Sequence, residues 1–131
     1  MVSDEDTVMT PVKPGGVTVS IQFDGGLQAF LHMTYDEALA KNVTSVMMGA
    51  MPASLTAPEV GDVLGELANM ISGSFKAKMA SKGFNGHASA PMIISNDSFI
   101  PAPISDGVAL MNRMKILEAT DELEIRIFAK V

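Results

Sequence analysis

The chain has 131 residues, a formal net charge of −6 at pH 7 and no cysteine. Its length suits one domain with its own core, and the absence of cysteine excludes a disulfide framework and a thiolate metal site. The acidic balance argues against binding to a nucleic-acid backbone. Because the sequence shows neither a signal peptide nor an apolar run long enough to span a membrane, we expect a cytoplasmic protein without membrane contact. The 11 methionines suit either adaptable core filling or an interaction surface.

The N-terminal part of the chain predicts a tail followed by a β-hairpin. Residues 1–16 combine acidic side chains, prolines and a Gly-Gly pair, which indicates a flexible tail ending in a turn. Residues 17–23 and 27–33 alternate apolar and polar side chains, as strands half buried in a sheet do. A three-residue loop that pairs Phe23 with Leu27 puts both apolar sets on one face, because side chains alternate with a period of two.

A first helix is predicted from Thr34 to Met48. Thr34 is a suitable N-cap residue, and Glu37 three residues later would complete a capping box. Gly49 follows the last helical position, where glycine commonly ends a helix. The apolar side chains that can form the inner face of this helix are Leu39, Val43, Val46 and Met47.

The longest helix is predicted over residues 57–82. Thr56 and Glu59 form a T-x-x-E capping box before it, and Pro58 suits its first turn. Gly83 is the expected stop. At about 100° per residue, one side of this helix carries the apolar stripe of a helix packed on a core. That stripe consists of Leu64, Leu67, Ala68, Ile71, Phe75 and Met79.

Three strands are predicted after the second helix, at residues 90–95, 107–117 and 122–131, with a turn at 119–121. In the last strand, the inward residues Leu123, Ile125, Ile127 and Ala129 alternate with the outward residues Glu122, Glu124 and Arg126. The resulting order is strand, strand, helix, helix, strand, strand, strand. Neighbouring hairpins in this order indicate an α+β fold, with a mainly antiparallel sheet and two long helices packed on one face.

The outer side of the second predicted helix carries a ridge formed by Asp62, Glu66, Asn69 and Gly73. These residues fall within about 60° of one another, so two carboxylates, an amide and a position without a side chain share one line. Gly65 and Gly73 are each less favourable than alanine in a helix by up to about 1 kcal/mol, and small residues leave room for a large partner. By its spacing alone, such a ridge is usually only a polar surface.

The motif D-x-x-x-E-x-x-N, formed here by Asp62, Glu66 and Asn69, resembles the signature of the CheC/CheX/FliY family of chemotaxis phosphatases. The segments NMISGSFKAKMASKGF and APMIIS, which follow it, are also similar to CheX-like proteins. The resemblance covers residues 17–131 and is most specific over residues 60–95.

The details of the resemblance favour the CheX type. CheC-type members carry the signature twice, whereas here Leu39 stands where a first glutamate would be if Asn42 were the motif asparagine. Family members usually also have a helix before the first strand, where this chain has a short tail. We therefore expect a flexible tail at residues 1–16 and one CheX-like domain at residues 17–131.

The resemblance implies that the protein hydrolyses the phosphoaspartate of a receiver domain, CheY or a relative. Asn69 would position the attacking water, and Glu66 would pair with a lysine of the receiver. Asp62 and Gly73 would serve substrate docking. The resemblance also implies a homodimer, and no cofactor or metal in this chain, since the receiver supplies Mg²⁺. A non-catalytic receiver-binding module and a dimerisation module of the same fold stay open as alternatives.

Overall fold

The computed structural model describes residues 12, 14–99, 101, 107–115 and 122–130. Its elements are strands β1 (Val17–Gly25) and β2 (Gln28–Tyr35), helices α1 (Glu37–Met48) and α2 (Ala57–Ser81), and strands β3 (Gly86–Ala88), β4 (Met92–Ser95), β5 (Val108–Lys115) and β6 (Glu122–Lys130). Short 3-10 turns occupy Pro52–Ser54 and Asn96–Ser98. The predicted tail at residues 1–16 falls mostly outside the described residues, and the predicted turn at 119–121 falls wholly outside them.

The strands form one six-stranded sheet in the order β3-β1-β2-β6-β5, with β4 also paired to β1. β3 pairs with the end of β1 and β4 with its beginning, so the two short strands lie along the same side of β1. Every pairing between described strands is antiparallel. Both helices pack on one face of the sheet, which confirms the predicted α+β fold. The short strand β3 was not predicted from the sequence.

The hairpin between β1 and β2 pairs Phe23 with Ala29. The predicted loop, which pairs Phe23 with Leu27, is therefore wrong by two positions. β1 runs on to Gly25 because its last residues pair with β3, where Gly25 lies opposite Gly86. Gly25 has a φ of 123°, and a Cβ atom there would lie 2.8 Å from the Cα atom of Gly86. Because the shift is even, the apolar residues of both strands still share one face, as predicted.

The main core lies between the helices and the face of the sheet that they cover. Its buried residues are Val19, Ile21, Phe23, Ala29, Leu31, Met33, Tyr35, Leu39, Ala40, Val43, Leu64, Ala68 and Leu123. The other inward residues predicted for the last strand, Ile125, Ile127 and Ala129, are half-buried and pack against this cluster. The helices therefore pack on a close-packed sheet core, which fixes the direction of their outer faces.

The start of α1 differs from the prediction. The N-cap residue is Asp36, whose Oδ1 atom accepts a hydrogen bond from the backbone N–H of Leu39 at 2.7 Å. Thr34 instead belongs to β2, where its buried hydroxyl lies 3.0 Å from the hydroxyl of Thr18 on β1. The predicted N-cap at Thr34 is therefore wrong. Thr34 stays in an extended conformation because it pairs with Thr18 of β1. An aspartate two residues later is an equally good cap.

The end of α1 confirms one prediction and corrects another. Gly49 has a φ of 67°, and its N–H donates to the carbonyl of Ser45, so it ends the helix as predicted. Val43 is buried, but Val46 and Met47 are 63% and 49% exposed, so the predicted inner face is wrong for the last turn. The main core reaches as far along α1 as Val43, and the turn that follows extends beyond it.

The opposite face of the sheet is also buried in part, contrary to the prediction for the last strand. Arg126 is fully buried, and its Nη2 atom lies 3.7 Å from the Oε2 atom of Glu124. Beside it, the ring of His32 lies 5.0 Å from that of Phe99 and 5.7 Å from that of Phe128, centroid to centroid. The prediction assumed that this face meets water. The segment after β4 passes across it instead, which brings Phe99 onto the sheet.

Asn96 holds that segment against the sheet. Its Oδ1 atom accepts a hydrogen bond from the Thr18 hydroxyl at 2.7 Å, and its Nδ2 atom donates to the Tyr35 carbonyl at 2.9 Å. Its backbone N–H donates to the carbonyl of Gly16 at 3.2 Å. Since Asn96 is only 4% exposed, these bonds replace the hydration that its amide loses on burial.

Candidate functional site

The second helix is capped as its sequence predicts. The Thr56 hydroxyl accepts a hydrogen bond from the backbone N–H of Glu59, and the Glu59 carboxylate accepts one from the backbone N–H of Thr56. Pro58 lies in the first turn, where a missing N–H leaves no bond unmade. At the other end Gly83 has a φ of 90°, and the N–H of Phe84 donates to the carbonyl of Met79. A helix of 25 residues with both ends satisfied is a rigid support for surface groups.

The inner side of α2 is turned slightly from the predicted stripe. Leu64 and Ala68 are buried as expected, together with Gly65 and Ser72. The predicted residues Leu67, Ile71 and Phe75 are half-buried against the core. The difference has a simple cause. β4 and Pro91 lie against the Gly65 side of the helix, so burial extends to that side at the expense of the other.

All four ridge residues predicted from the motif are exposed: Asp62, Glu66, Asn69 and Gly73. Glu66 and Asn69 lie one turn apart, where helical side chains are neighbours about 5–6 Å apart at Cβ. Among the described residues, neither side chain has a hydrogen-bond or ion-pair partner. An exposed carboxylate and an exposed amide are thus neighbours on a helix whose two ends are capped.

The glycines of α2 separate into two groups. Cβ atoms built on Gly61 and Gly65 would lie 3.8 Å and 3.9 Å from side-chain atoms of Ile93 in β4. These two glycines therefore belong to the contact between helix and sheet, and the expectation that Gly65 opens the outer face is wrong. A Cβ atom on Gly73 would meet nothing within 4 Å. The fold itself does not need a glycine at position 73.

The outer face also carries an apolar residue that the sequence pattern does not predict there. Met70 is 66% exposed, although it directly follows Asn69 in a helix whose other large apolar residues are buried or half-buried. The signal was present in the spacing, because Met70 lies about 40° from Glu66 at 100° per residue. The predicted apolar stripe contains only inner residues, so it leaves out a single apolar residue on the polar side.

A groove of about 600 Å³ opens beside the first turn of α2. Its walls include Val60 and Gly61 of α2, Ile93 of β4 and the ion pair between Glu37 and Lys41. The nitrogen and oxygen of that pair are 3.1 Å apart. The groove lies at the N-terminal end of the ridge, because Gly61 precedes Asp62 in the helix. Neither Glu66 nor Asn69 lines this groove.

The perturbed titratable groups lie away from the ridge. Burial, with the positive charge of Arg126 as a second cause, lowers the pKa of His32 from 6.5 to about 4. Burial raises the pKa of the Tyr35 hydroxyl to about 12. Within the described part of the chain, no three His, Cys, Asp or Glu side chains come close enough to hold a metal ion. Nor does any described helix combine the length and apolarity needed to cross a membrane.

Several solved structures share this fold, and three of them show the range of similarity. A CheC-like superfamily protein from Shewanella sp. PV-4 is 26% identical with a TM-score of 0.77, over 92% of this chain and 77% of that one. The chemotaxis protein CheX from Vibrio vulnificus is 24% identical with a TM-score of 0.77, over 92% and 79%. The matched chain in a CheX–CheY–BeF3–Mg²⁺ complex from Borrelia burgdorferi is 20% identical with a TM-score of 0.75, over 92% of this chain and 80% of that one. At their level of identity, the last two show a common fold and no more.

The family follows from the sequence itself. No curated protein matches this chain. The family described as chemotaxis phosphatase CheX matches residues 17–111, which is more than half of the chain and includes both helices and the whole ridge. The chain therefore belongs to the CheX family of chemotaxis phosphatases.

Proposed function

We propose that this protein hydrolyses the phosphoaspartate of a CheY-like receiver domain in chemotaxis or two-component signalling. The observation that carries the proposal is the placement of Glu66 and Asn69 one turn apart on the exposed side of α2, with no partner among the described residues. An exposed convex ridge suits a substrate that is itself a folded protein, because such a substrate brings the walls of the active site with it. The site needs no deep pocket of its own.

Asn69 is the group that we assign to the chemical step. A phosphoaspartate is an acyl phosphate and is already activated, so hydrolysis mainly requires a water molecule held in line with the leaving carboxylate oxygen. The amide of Asn69 has one acceptor atom and two donor hydrogens at fixed geometry, which can hold that water. Because the amide is neutral, it does not repel the negatively charged phosphoryl group. No proton has to move to or from Asn69, so it needs no perturbed pKa.

Glu66 is assigned a docking role. Its carboxylate, one turn before Asn69, would pair with a lysine in the active site of the receiver and so orient the phosphoryl group toward the amide. Charge-assisted hydrogen bonds of this kind are stronger and more directional than neutral ones. Asp62, one turn earlier, would contribute a weaker contact at the edge of the interface. Gly73, one turn after Asn69, would allow the receiver surface to approach the helix closely.

The divalent cation belongs to the substrate in this proposal. The receiver would bring Mg²⁺, which neutralises the phosphoryl oxygens during transfer to water. The solved complex from Borrelia burgdorferi contains CheX, CheY, BeF3 and Mg²⁺ together, and beryllofluoride is a chemical analogue of a phosphoryl group. That composition supports a receiver as the partner. We also propose that the protein acts in the cytoplasm, where CheY-like receivers of this kind would meet it.

We also propose a homodimer that forms through a sheet edge. Met92 and Ile93 of β4 are 62% and 44% exposed, and Val108 of β5 is 59% exposed, so both edge regions present apolar side chains. Strands with unpaired backbone groups and apolar side chains at the edge favour pairing with another chain. Light scattering at micromolar concentration tests this. We expect the mass of two chains, and the mass of one chain would contradict the dimer.

The experiment that tests the proposed activity follows the phosphoryl label on a panel of phosphorylated receivers with and without this protein. We expect accelerated loss of label from at least one receiver, with release of inorganic phosphate. The alternative, a receiver-binding module without turnover, predicts stable binding to a phosphorylated receiver and an unchanged rate of loss. If the protein accelerates the loss of label from no receiver, in a panel that includes receivers of the same organism, the proposed phosphatase activity is contradicted.

A further inference from the structure

Met70 is the large apolar residue that α2 turns toward solvent. It is 66% exposed, whereas Leu64 is buried and Leu67 and Ile71 pack against the core. The structure describes α2 over its whole length, and the helix exposes no second large apolar side chain to this degree. The fold therefore gains little from a methionine at position 70, where a glutamine or lysine would serve the helix equally well.

The position of Met70 ties it to the proposed active site. It follows Asn69 directly, and it lies four residues after Glu66, which makes those two side chains neighbours about 5–6 Å apart at Cβ. Helical side chains lean toward the N-terminus, so the Met70 side chain covers the flank of the ridge beside Glu66. A folded protein that contacts both Glu66 and Asn69 would come close to Met70, which lies beside Glu66 on the outer side of the helix.

The surface beyond Met70 leaves room for a partner. Gly73 lies three residues after Met70 on the ridge itself, is exposed, and would place an added Cβ atom in open space. Ala77, the next residue of the line, is exposed and short. The thioether of Met70 is thus accessible from solvent and from the C-terminal side of the helix. Methionine adapts its shape to the surface that covers it and is enriched at the centres of protein interfaces.

We propose that Met70 is an apolar docking anchor for the phosphorylated receiver, and that it determines how tightly the receiver binds without taking part in hydrolysis. Its counterpart would be an apolar side chain on the receiver surface beside the phosphoaspartate. The inference rests on the proposed phosphatase function and adds a specificity determinant to it. Glu66 supplies charge pairing, Asn69 holds the attacking water, and Met70 supplies an apolar contact that keeps bulk water away from the charge pair of Glu66.

The test compares kcat and KM for receiver dephosphorylation by the wild type and three variants. Met70→Gln keeps length and helix propensity but makes the tip polar, and Met70→Leu keeps the site apolar. Met51→Gln is the matched control, because Met51 is 73% exposed in the link between the helices. Circular dichroism checks that each variant is folded, and light scattering measures its oligomeric state.

We expect Met70→Gln to raise KM about 10-fold, equivalent to about 1.4 kcal/mol of binding free energy, while kcat stays within about two-fold. Met70→Leu should recover most of the affinity, and Met51→Gln should match the wild type. Equal KM values for Met70→Gln and Met51→Gln would overturn the inference and leave the phosphatase proposal standing. An altered oligomeric state with unchanged KM would overturn it as well, since Met70 would then contact another copy. A wild type that turns over no receiver would overturn the proposed function itself and this inference with it.

Discussion

Gly65 of α2 lies against Ile93 of β4, where an added Cβ atom would sit 3.9 Å from the Cδ1 atom of the isoleucine. Gly73, on the same helix, has open space at the equivalent point. The first glycine thus lies in the contact between helix and sheet, where an added Cβ atom would make an ordinary van der Waals contact. The second has no internal explanation, although glycine is among the least favourable residues in a helix. The fold therefore buries Gly65, whereas Gly73 faces open space and is available to a partner.

Gly73→Ala should stabilise the protein and impair its function. An alanine in open space on a helix should raise the free energy of unfolding by about 0.5–1 kcal/mol, as measured by urea denaturation. The added methyl group should also hold the receiver surface away from the helix and raise KM for dephosphorylation. A variant that is more stable and fully active would show that Gly73 is not part of the docking surface.

The two acidic ridge residues should differ in effect. Glu66→Ala should weaken binding of a phosphorylated receiver and lower turnover, because it removes a charge-assisted contact that also orients the phosphoryl group. Asp62→Ala should have the milder effect, since its proposed contact would lie at the rim of the interface, where charges are screened by water. Calorimetric titration with a beryllofluoride-treated receiver measures binding without turnover. A larger loss of affinity for Asp62→Ala than for Glu66→Ala would contradict this order of roles.

Asn96→Ala should destabilise the protein by about 1–3 kcal/mol, because it leaves the buried carbonyl of Tyr35 without the amide donor that it has at 2.9 Å. It also removes the acceptor of the Thr18 hydroxyl bond. Asn85→Ala is a suitable control, since Asn85 is exposed and its side chain has no hydrogen-bond partner among the described residues. Chemical denaturation should show a lower midpoint for the first variant and a small change for the second.

His32 should make stability depend on pH. Its pKa in the folded state is about 4, below the ordinary value of 6.5, so the unfolded chain binds a proton over this interval that the folded chain does not. The free energy of unfolding is therefore unaffected by the protonation of His32 above pH 6.5. It falls as the pH drops toward 4, by up to about 3 kcal/mol.

Replacement of His32 isolates that effect. His32→Phe suits the ring cluster and removes a buried Nδ1 atom that has no hydrogen-bond partner in the described part of the chain, so it should flatten the decline in stability between pH 6.5 and 5. His87→Phe, at an exposed position, should keep the decline. Urea denaturation across this pH range gives the comparison. Parallel curves for the wild type and His32→Phe would exclude His32 as the source.

The sequence predicts the helices and the exposed ridge well because both depend on local signals. The Thr56 cap, the Gly49 stop and the exposure of Asn69 follow from spacing and from conformational preferences of single residues. The register of the first hairpin was missed because β1 is extended by pairing with β3, a three-residue strand more than 60 positions away. No periodicity is visible in so short a strand.

Long-range packing also explains the other errors. Arg126 has the alternation of an exposed residue, yet the segment after β4 crosses the sheet face that carries it. Thr34 has the chemistry of a helix cap, but its partner Thr18 is set by strand pairing. The roles proposed for Glu66 and Asn69 rest on a family motif rather than on spacing alone, and the structure adds that their side chains are exposed on a capped helix.

The most direct measurement of the central claim is the rate at which Asn69→Ala removes the phosphoryl label from a receiver that the wild type dephosphorylates. We predict a rate lower by about 10²-fold or more, by analogy with the loss of one preorganised transition-state donor. The free energy of unfolding and the affinity for a beryllofluoride-treated receiver should change little, because the side chain is exposed and contributes little to the fold. An Asn69→Ala variant that dephosphorylates the receiver at the wild-type rate would contradict the assignment of the ridge as the active site.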